Sequence, residues 1–317
     1  MKREPDESNE APLQMATLAG SRPTGIRAPG RWPGKFLLLA LAAVALLLLA
    51  EFRPAPLDVY RTIDELEFAD SVLAGCVRDT AASNDWQNAG QIVSLRCNNP
   101  TGEPVRDLSG IEHLVELTEL NLAFNRIRDA APIASLPQLV VLDLSHNELA
   151  TLPVFAAAGN LRRLEVNFNK LDSLEWLETQ PLMMLRTLSF ANNRIQDLSP
   201  IKTMTQLVEV NIRNNRITEL QPLYELGKLE VLDAGGNSIR EVAGIERLSI
   251  LHTLYMDDND LKSTDELKGL DRLEELDLSS NALGSIEGLS DLRRLRRLSL
   301  NNTGIGSIDS ILSLGDL

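Results

Sequence analysis

From Leu117 onward, apolar and polar positions recur in the frame L-x-x-L-x-L-x-x-N-x-[I/L]. The first copy is Leu117, Leu120, Leu122, Asn125 and Ile127; the second is Leu139, Leu142, Leu144, Asn147 and Leu149. The frame returns at Leu161-Leu164-Val166, Leu185-Leu188-Phe190, Leu207-Val210-Ile212, Leu229-Leu232-Ala234, Leu251-Leu254-Met256, Leu273-Leu276-Leu278 and Leu295-Leu298-Leu300. The polar slot that closes each copy holds Asn125, Asn147, Asn169, Asn193, Asn215, Asn237, Asn259 and Asn281, then Thr303. Its steps are 22 residues, except 24 between Asn169 and Asn193. The L-x-L alternation has period two and puts those residues on one side of a short strand. Such a strand cannot bury its apolar face alone. A fixed period in the twenties therefore predicts a solenoid, in which parallel stacking builds a continuous core. An amphipathic helical bundle would need a period of 3.6, which the frame does not have. An asparagine amide carries donors and acceptors. In this slot it is placed to satisfy turn backbone groups of its own and the adjacent repeat.

The repeat from Leu161 to Met184 has two extra residues, around Thr179-Gln180-Pro181. Its strand half is intact, so the excess belongs on the side away from the strands, as a tolerated insertion or as a docking feature beside Trp176. Upstream, Ile92, Leu95 and Cys97 fit an irregular first strand. The stretch from Phe68 to Asp79 reads as a helix with Val72, Leu73, Cys76 and Val77 on one face, followed by Trp86.

Over roughly Leu95 to Leu317 the chain resembles the leucine-rich repeat family, in the 22-residue form of bacterial internalins. The resemblance implies an α/β solenoid: a right-handed horseshoe with a concave parallel sheet, 3₁₀ and irregular segments on the convex side, and a small helical N-terminal cap. Residues 53–116 then form a linker and cap with the irregular first repeat, and 117–317 form nine repeats. The two cysteines, Cys76 and Cys97, fall in the cap and the first strand. An even count in an exported chain suggests one disulfide; two buried free thiols are the alternative. At the other end, a tenth copy falls due at Leu317, the last residue of the sequence. This edge is expected to be uncapped, whether it frays, is covered by a partner, or belongs to an incomplete reading frame.

Residues 1–35 lack apolar periodicity and are rich in Pro, Gly, Ser and charge, which reads as a disordered cytoplasmic leader. Residues 36–52 carry a run of fifteen apolar residues, Phe36 to Ala50. As a helix that run spans about 22 Å, against a hydrocarbon core of roughly 30 Å. Trp32 and Phe52 extend it as interfacial anchors, so a short single-pass signal-anchor is expected; a cleaved signal peptide, leaving a secreted chain, is the alternative. Arg22, Arg27, Arg31 and Lys35 precede the span with no acidic residue among them. They hold that end in the cytoplasm. The repeats then lie outside the cytoplasmic membrane, in the periplasm of a Gram-negative cell.

The net charge of −14 is concentrated in residues 53–317, which carry 25 basic and 40 acidic groups. That balance disfavours nucleic acid and anionic lipid. It suits a basic protein or peptide, or simply solubility. The residues that alternate with the leucines form a solvent-facing column: Asn121, Asp143, Glu165, Ser189, Asn211, Asp233, Tyr255, Asp277 and Ser299. Asp143, Glu165, Asp233, Tyr255 and Asp277, with Asp257 beside them, are the candidate partner-binding residues of this face. One residue before each asparagine a second column begins Phe124, His146, Phe168 and then turns polar. These rings form either an exposed ridge suited to binding or a set packed partly under the turn.

Catalytic chemistry is not legible. His113, His146 and His252 fall in different repeats without ligand spacing, so neither a metal nor another cofactor is expected. Asp233-Ala-Gly-Gly-Asn237 lacks the Gly-Lys-Ser/Thr of a phosphate loop. Asp257, Asp258 and Asp260 lack the ligand pattern of a calcium loop. The expected function is a non-enzymatic, protein-binding scaffold with its partner on the concave face. The alternative is an envelope protein that self-associates through its C-terminal edge.

Overall fold

The computed structural model describes residues 57–98, 101–179, 182–312 and 314. The chain divides into two units, 1–53 and 54–317. The expected leader and membrane span lie in or next to the first unit, outside the described residues. No helix among the described residues is long and apolar enough to cross a membrane.

The second unit carries one ten-stranded parallel sheet in sequential order. Its strands are β1 (Ser94–Arg96), β2 (Glu119–Asn121), β3 (Val141–Asp143), β4 (Arg163–Glu165), β5 (Thr187–Ser189), β6 (Glu209–Asn211), β7 (Val231–Asp233), β8 (Thr253–Tyr255), β9 (Glu275–Asp277) and β10 (Arg297–Ser299). Each strand is only three residues long, because the chain needs just one inward leucine between two outward residues before it turns. Register is fixed by that leucine. Leu120 lies opposite Leu142, Leu142 opposite Leu164, and Leu254 opposite Leu276. A slip of one residue would move the whole apolar set to the solvent face. The first strand, irregular in sequence, joins the sheet with Leu95 opposite Leu120.

The asparagines bind as their position implies. Asn215 donates from Nδ2 to Ile212 O of its own strand (3.0 Å) and to Phe190 O of the preceding repeat (3.0 Å). Its Oδ1 accepts the Ile195 amide at 3.0 Å. The same three-way arrangement recurs at Asn147, Asn193, Asn237, Asn259 and Asn281. At the first repeat Asn125 reaches back to Cys97 O (2.8 Å) and accepts from Val105 N (2.8 Å), which ties the cap to the array. Thr303 reproduces the own-strand bond, to Leu300 O at 2.8 Å. A hydroxyl has one proton to donate, so no donor is left for the carbonyl of the preceding repeat.

On the convex side most repeats make a short 3₁₀ turn, several opened by proline, as at Ser199–Ile201 and Gln221–Leu223. Proline fits there because its fixed φ suits the first turn and its missing N–H is not needed. One repeat lacks that turn and one is longer. In the former, Phe155 fills the buried slot that Ile133, Leu177 and Ile201 fill elsewhere, and Ala158 stands where other repeats have Leu136 or Met204. Large beside small conserves core volume. In the longer repeat, whose residues 180 and 181 lie outside the described residues, Leu177 and Leu182 are both buried. Trp176, beside them, packs into the core. It is 7% exposed and meets Phe155 edge-on, with centroids 6.0 Å apart.

The cap helix α1 runs Ser71–Ser83, starting three residues later and ending four residues later than its sequence pattern suggests. The start is set by Asp70. Its Oδ1 accepts the Val72 and Leu73 amides (2.8 and 3.2 Å), as an N-cap does. Its Oδ2 accepts the Arg106 and Asp107 amides of the first turn (2.8 and 3.3 Å). Leu73, Val77 and Ala81 close the core at this end. The Cys76–Cys97 disulfide is formed, with Cα atoms 5.8 Å apart, and joins α1 to β1. Gly110 has φ +105°, and a Cβ there would lie 2.3 Å from Glu67 O, so only glycine lets the cap linker pass this close.

Candidate binding face

The solvent side of the sheet carries the expected column in register: Asn121 beside Asp143, Asp143 beside Glu165, Asp233 beside Tyr255 and Tyr255 beside Asp277. The acids in it are not equivalent. Asp233 and Asp257 are held by Arg213, whose Nη1 lies 2.9 Å from Asp233 Oδ1 and 2.9 Å from Asp257 Oδ1; its Nη2 bonds Asp257 Oδ2. Arg213, Gly235 and Asp257 occupy the same slot of three successive repeats. The guanidinium reaches Asp257 by crossing Gly235, where a Cβ would stand 2.2 Å from Nη1. One arginine thus holds both of these candidate partner-binding acids and offsets one of their two charges. Burial nevertheless raises the Asp233 pKa, opposed by the Gly235 amide and by Arg213. Arg213 itself is raised, chiefly by its bond to Asp257.

Asp143 and Glu165 have no such clamp. Asp143 accepts from Asn121 Nδ2 (3.0 Å) and from the Ser145 amide (2.9 Å). Glu165 meets Arg163 Nε at 3.2 Å. Even so, burial and then the neighbouring Asp143 push the Glu165 carboxyl above its ordinary pKa. One arginine does not offset two adjacent acids, one of them partly desolvated. Further along, Tyr255 is half-buried and its phenol is raised by burial and by Glu275, which in turn pairs with Arg297 at 2.5 Å. Asp277 accepts the Ser279 amide at 2.8 Å, which fixes its rotamer.

The aromatic residues form an exposed stack. Phe124 and His146 have ring centroids 4.1 Å apart at 12°, and His146 and Phe168 are 4.1 Å apart at 11°. Phe124 is 43% exposed and Phe168 47%, so the rings do not pack under the turn. All three sit at positive φ, +61°, +55° and +52°. The rest of this column is also left-handed, but there it is filled by Asn192, Asn214, Gly236, Asp258, Ser280 and Asn302. Most of those are small or amide residues, the types that tolerate this conformation.

The histidines do not converge. His113 lies in the cap, with Nδ1 3.3 Å from Asp58 Oδ1; His252 lies 3.6 Å from Glu230 at the sheet edge. Among the described residues no cluster of His, Cys, Asp and Glu is arranged to hold a metal ion. Two features were not read from the sequence. One is the Arg213 clamp, whose signal was the 22-residue spacing of Arg213, Gly235 and Asp257. The other is a recess of about 200 Å³ between β1, β2 and β3, lined by Leu95, Arg96, Glu119, Leu120, Asn121, Val141 and Asp143.

The family described as Leucine Rich repeats (2 copies) matches residues 115–157, 184–225 and 271–314. Among solved structures, an internalin (InlF) of Listeria monocytogenes is 23% identical over 84% of each chain, with a TM-score of 0.66. Internalin C2 of the same organism is 24% identical, covering 76% of this chain and 96% of its own, with a TM-score of 0.57. A leucine-rich repeat protein of Leptospira interrogans is 26% identical over 65% of this chain and 54% of its own, with a TM-score of 0.59. No curated protein matches the sequence. The repeat frame, the asparagine ladder, the parallel sheet and these matches agree: the chain carries leucine-rich repeats over the matched stretches, and its fold is of the internalin-like type.

Proposed function

We propose that this protein is a non-enzymatic scaffold, displayed outside the cytoplasmic membrane, that binds a basic protein on the concave face of its sheet. One observation carries the reading. Ten in-register strands place their polar side chains in a single solvent-facing column, on a frame held by the asparagine ladder. At about 4.8 Å per strand the column is roughly 40 Å long, enough for an ordinary protein interface. The charge of the face selects the partner's sign. Residues 53–317 carry fifteen more acids than bases, and Asp143 and Glu165 lie side by side with one arginine between them. Display outside the membrane rests on the apolar run at residues 36–50 and the four basic residues before it.

Photocrosslinking from Tyr255 and Asp277 in intact cells, with mass spectrometry of the adducts, tests the scaffold. A basic extracytoplasmic protein is the expected catch. Adducts that are acidic or cytoplasmic, or that persist unchanged when the crosslinker is moved to the convex side, would sink the reading. Carbonate extraction with protease protection tests the anchor and its orientation.

A second reading has one observation in its favour. On the β10 side Leu298, Leu300 and Ile305 are only partly buried, and Ile308 and Leu312 are 53% and 69% exposed. Self-association through this edge predicts a mass that rises with protein concentration.

A further inference from the structure

We propose that the Phe124-His146-Phe168 stack and the recess between β1, β2 and β3 form one subsite, which takes an arginine or lysine of the partner protein together with a neighbouring apolar residue. This deepens the concave-face reading and rests on it. The stack and the recess share two repeats. Asn121 and Asp143, which line the recess, stand three residues before Phe124 and His146 on the same two repeats.

Each half has its own chemistry. In a parallel stack the ring faces are occupied by one another, so the ridge offers mainly ring edges to solvent. Those edges carry the positive end of the ring quadrupole and are not cation sites. They suit aliphatic contact and carbonyl oxygens. The recess is the complement. Its volume is about that of one large side chain; Val141 provides an outward apolar side chain, Leu95 and Leu120 being turned into the core beneath, and Glu119 and Asp143 supply two acids against the one base, Arg96. A long side chain with an apolar stem and a cationic head matches that order of surfaces. Arg96 reaches Glu119 only weakly, at 3.9 Å, with both side chains half exposed or more. Glu165, adjacent to Asp143 on β4, adds acid that Arg163 does not fully offset. The ridge is also a departure from the fold's own rule. A left-handed backbone slot filled by Asn, Gly, Asp or Ser in six repeats holds bulky rings in three consecutive ones, two of them on repeats that line this recess.

The experiment selects a displayed random-peptide library on the full chain in lipid nanodiscs. Selected peptides are then measured against three variants. The first is Phe124→Asn/His146→Asn/Phe168→Asn, which installs the residue the column uses at Asn192, Asn214 and Asn302 and so keeps or improves the fold. The second is Glu119→Gln/Asp143→Asn, and the third is Tyr255→Ala/Asp277→Asn. The proposal expects peptides in which Arg or Lys adjoins an apolar residue, with affinity at least ten-fold weaker on each of the first two variants at unchanged or higher Tm. Peptides without a basic residue overturn it, as does failure to select any peptide. Binding that survives the first two variants but is lost on the third overturns the subsite while leaving the concave-face reading in place. Binding indifferent to all three overturns both.

Discussion

At the residue scale, the asparagine slot and the slot before it make opposite demands. Asn215 satisfies three carbonyls and one amide across two repeats. Asn215→Ala leaves those groups unpaired, so unfolding free energy should fall by about 1–3 kcal/mol, measured by denaturant titration. An unchanged midpoint would show that water replaces the amide. Glu165 supplies a test of opposite sign. Its folded-state pKa is raised by burial and by Asp143, so the folded protein holds that proton more tightly than the unfolded chain does. Ionised Glu165 therefore subtracts stability above its folded pKa, and the penalty vanishes as pH falls below the unfolded value. Glu165→Gln is expected to melt higher than the parent at neutral pH and to converge with it in acid. A variant less stable at neutral pH would show instead that the Arg163 pair outweighs the desolvation.

At the element scale, the cap is the part held by singular contacts. A strand inside the array is replicated on both sides, whereas α1 is joined to β1 by one disulfide and to the first turn by one carboxylate. Burial raises the Asp70 pKa, but four backbone amides outweigh it, so the group stays below its ordinary value. Depressed in the folded state, it contributes stability that is present above the unfolded pKa and lost as pH falls through the folded one. Protection of α1 against hydrogen exchange should therefore fall as pH drops below the ordinary aspartate pKa, and Asp70→Asn should abolish that pH dependence. Reducing Cys76–Cys97, a separation of 21 residues, should lower stability by about 3 kcal/mol in the chain-entropy account. If exchange in β5–β8 changes as much as in α1, the cap is no separate unit.

At the scale of the whole molecule, stability is spread along the array while recognition is not. Every repeat contributes the same inward leucines, but the outward surface changes character. Rings and unclamped acids lie over β2–β4, the Arg213 clamp over β6–β8, and the Tyr255–Glu275–Arg297 group over β8–β10. Acids already paired with Arg213 have less to gain from a partner cation than Asp143 and Glu165 do. Binding of a basic partner should weaken as salt screens these charges. Glu119→Gln/Asp143→Asn should flatten that salt dependence more than Asp233→Asn does, in titrations at two ionic strengths.

The sequence by itself determined the solenoid, its register and which side chains face inward. Those follow from a period-two leucine pattern repeated every 22 residues, where each copy has only one way to bury its face. It also indicated the Cys76–Cys97 pairing and the aromatic column, because both are local in the frame. Only the tertiary structure decided the rest. The frame puts Arg213, Asp233 and Asp257 on one surface but does not say that the guanidinium crosses Gly235 to join them; that depends on a missing Cβ and on the reach of a long side chain. Whether Phe124, His146 and Phe168 pack inward or stack in the open depends on a positive φ that no hydrophobicity pattern encodes. Asp70 caps the helix through local amides, but that its second oxygen takes amides 36 and 37 residues away is decided only by the tertiary fold. Periodic patterning specifies burial, whereas charge pairing, ring orientation and the anchoring of the cap are settled by distances between repeats, which exist only once the chain is stacked.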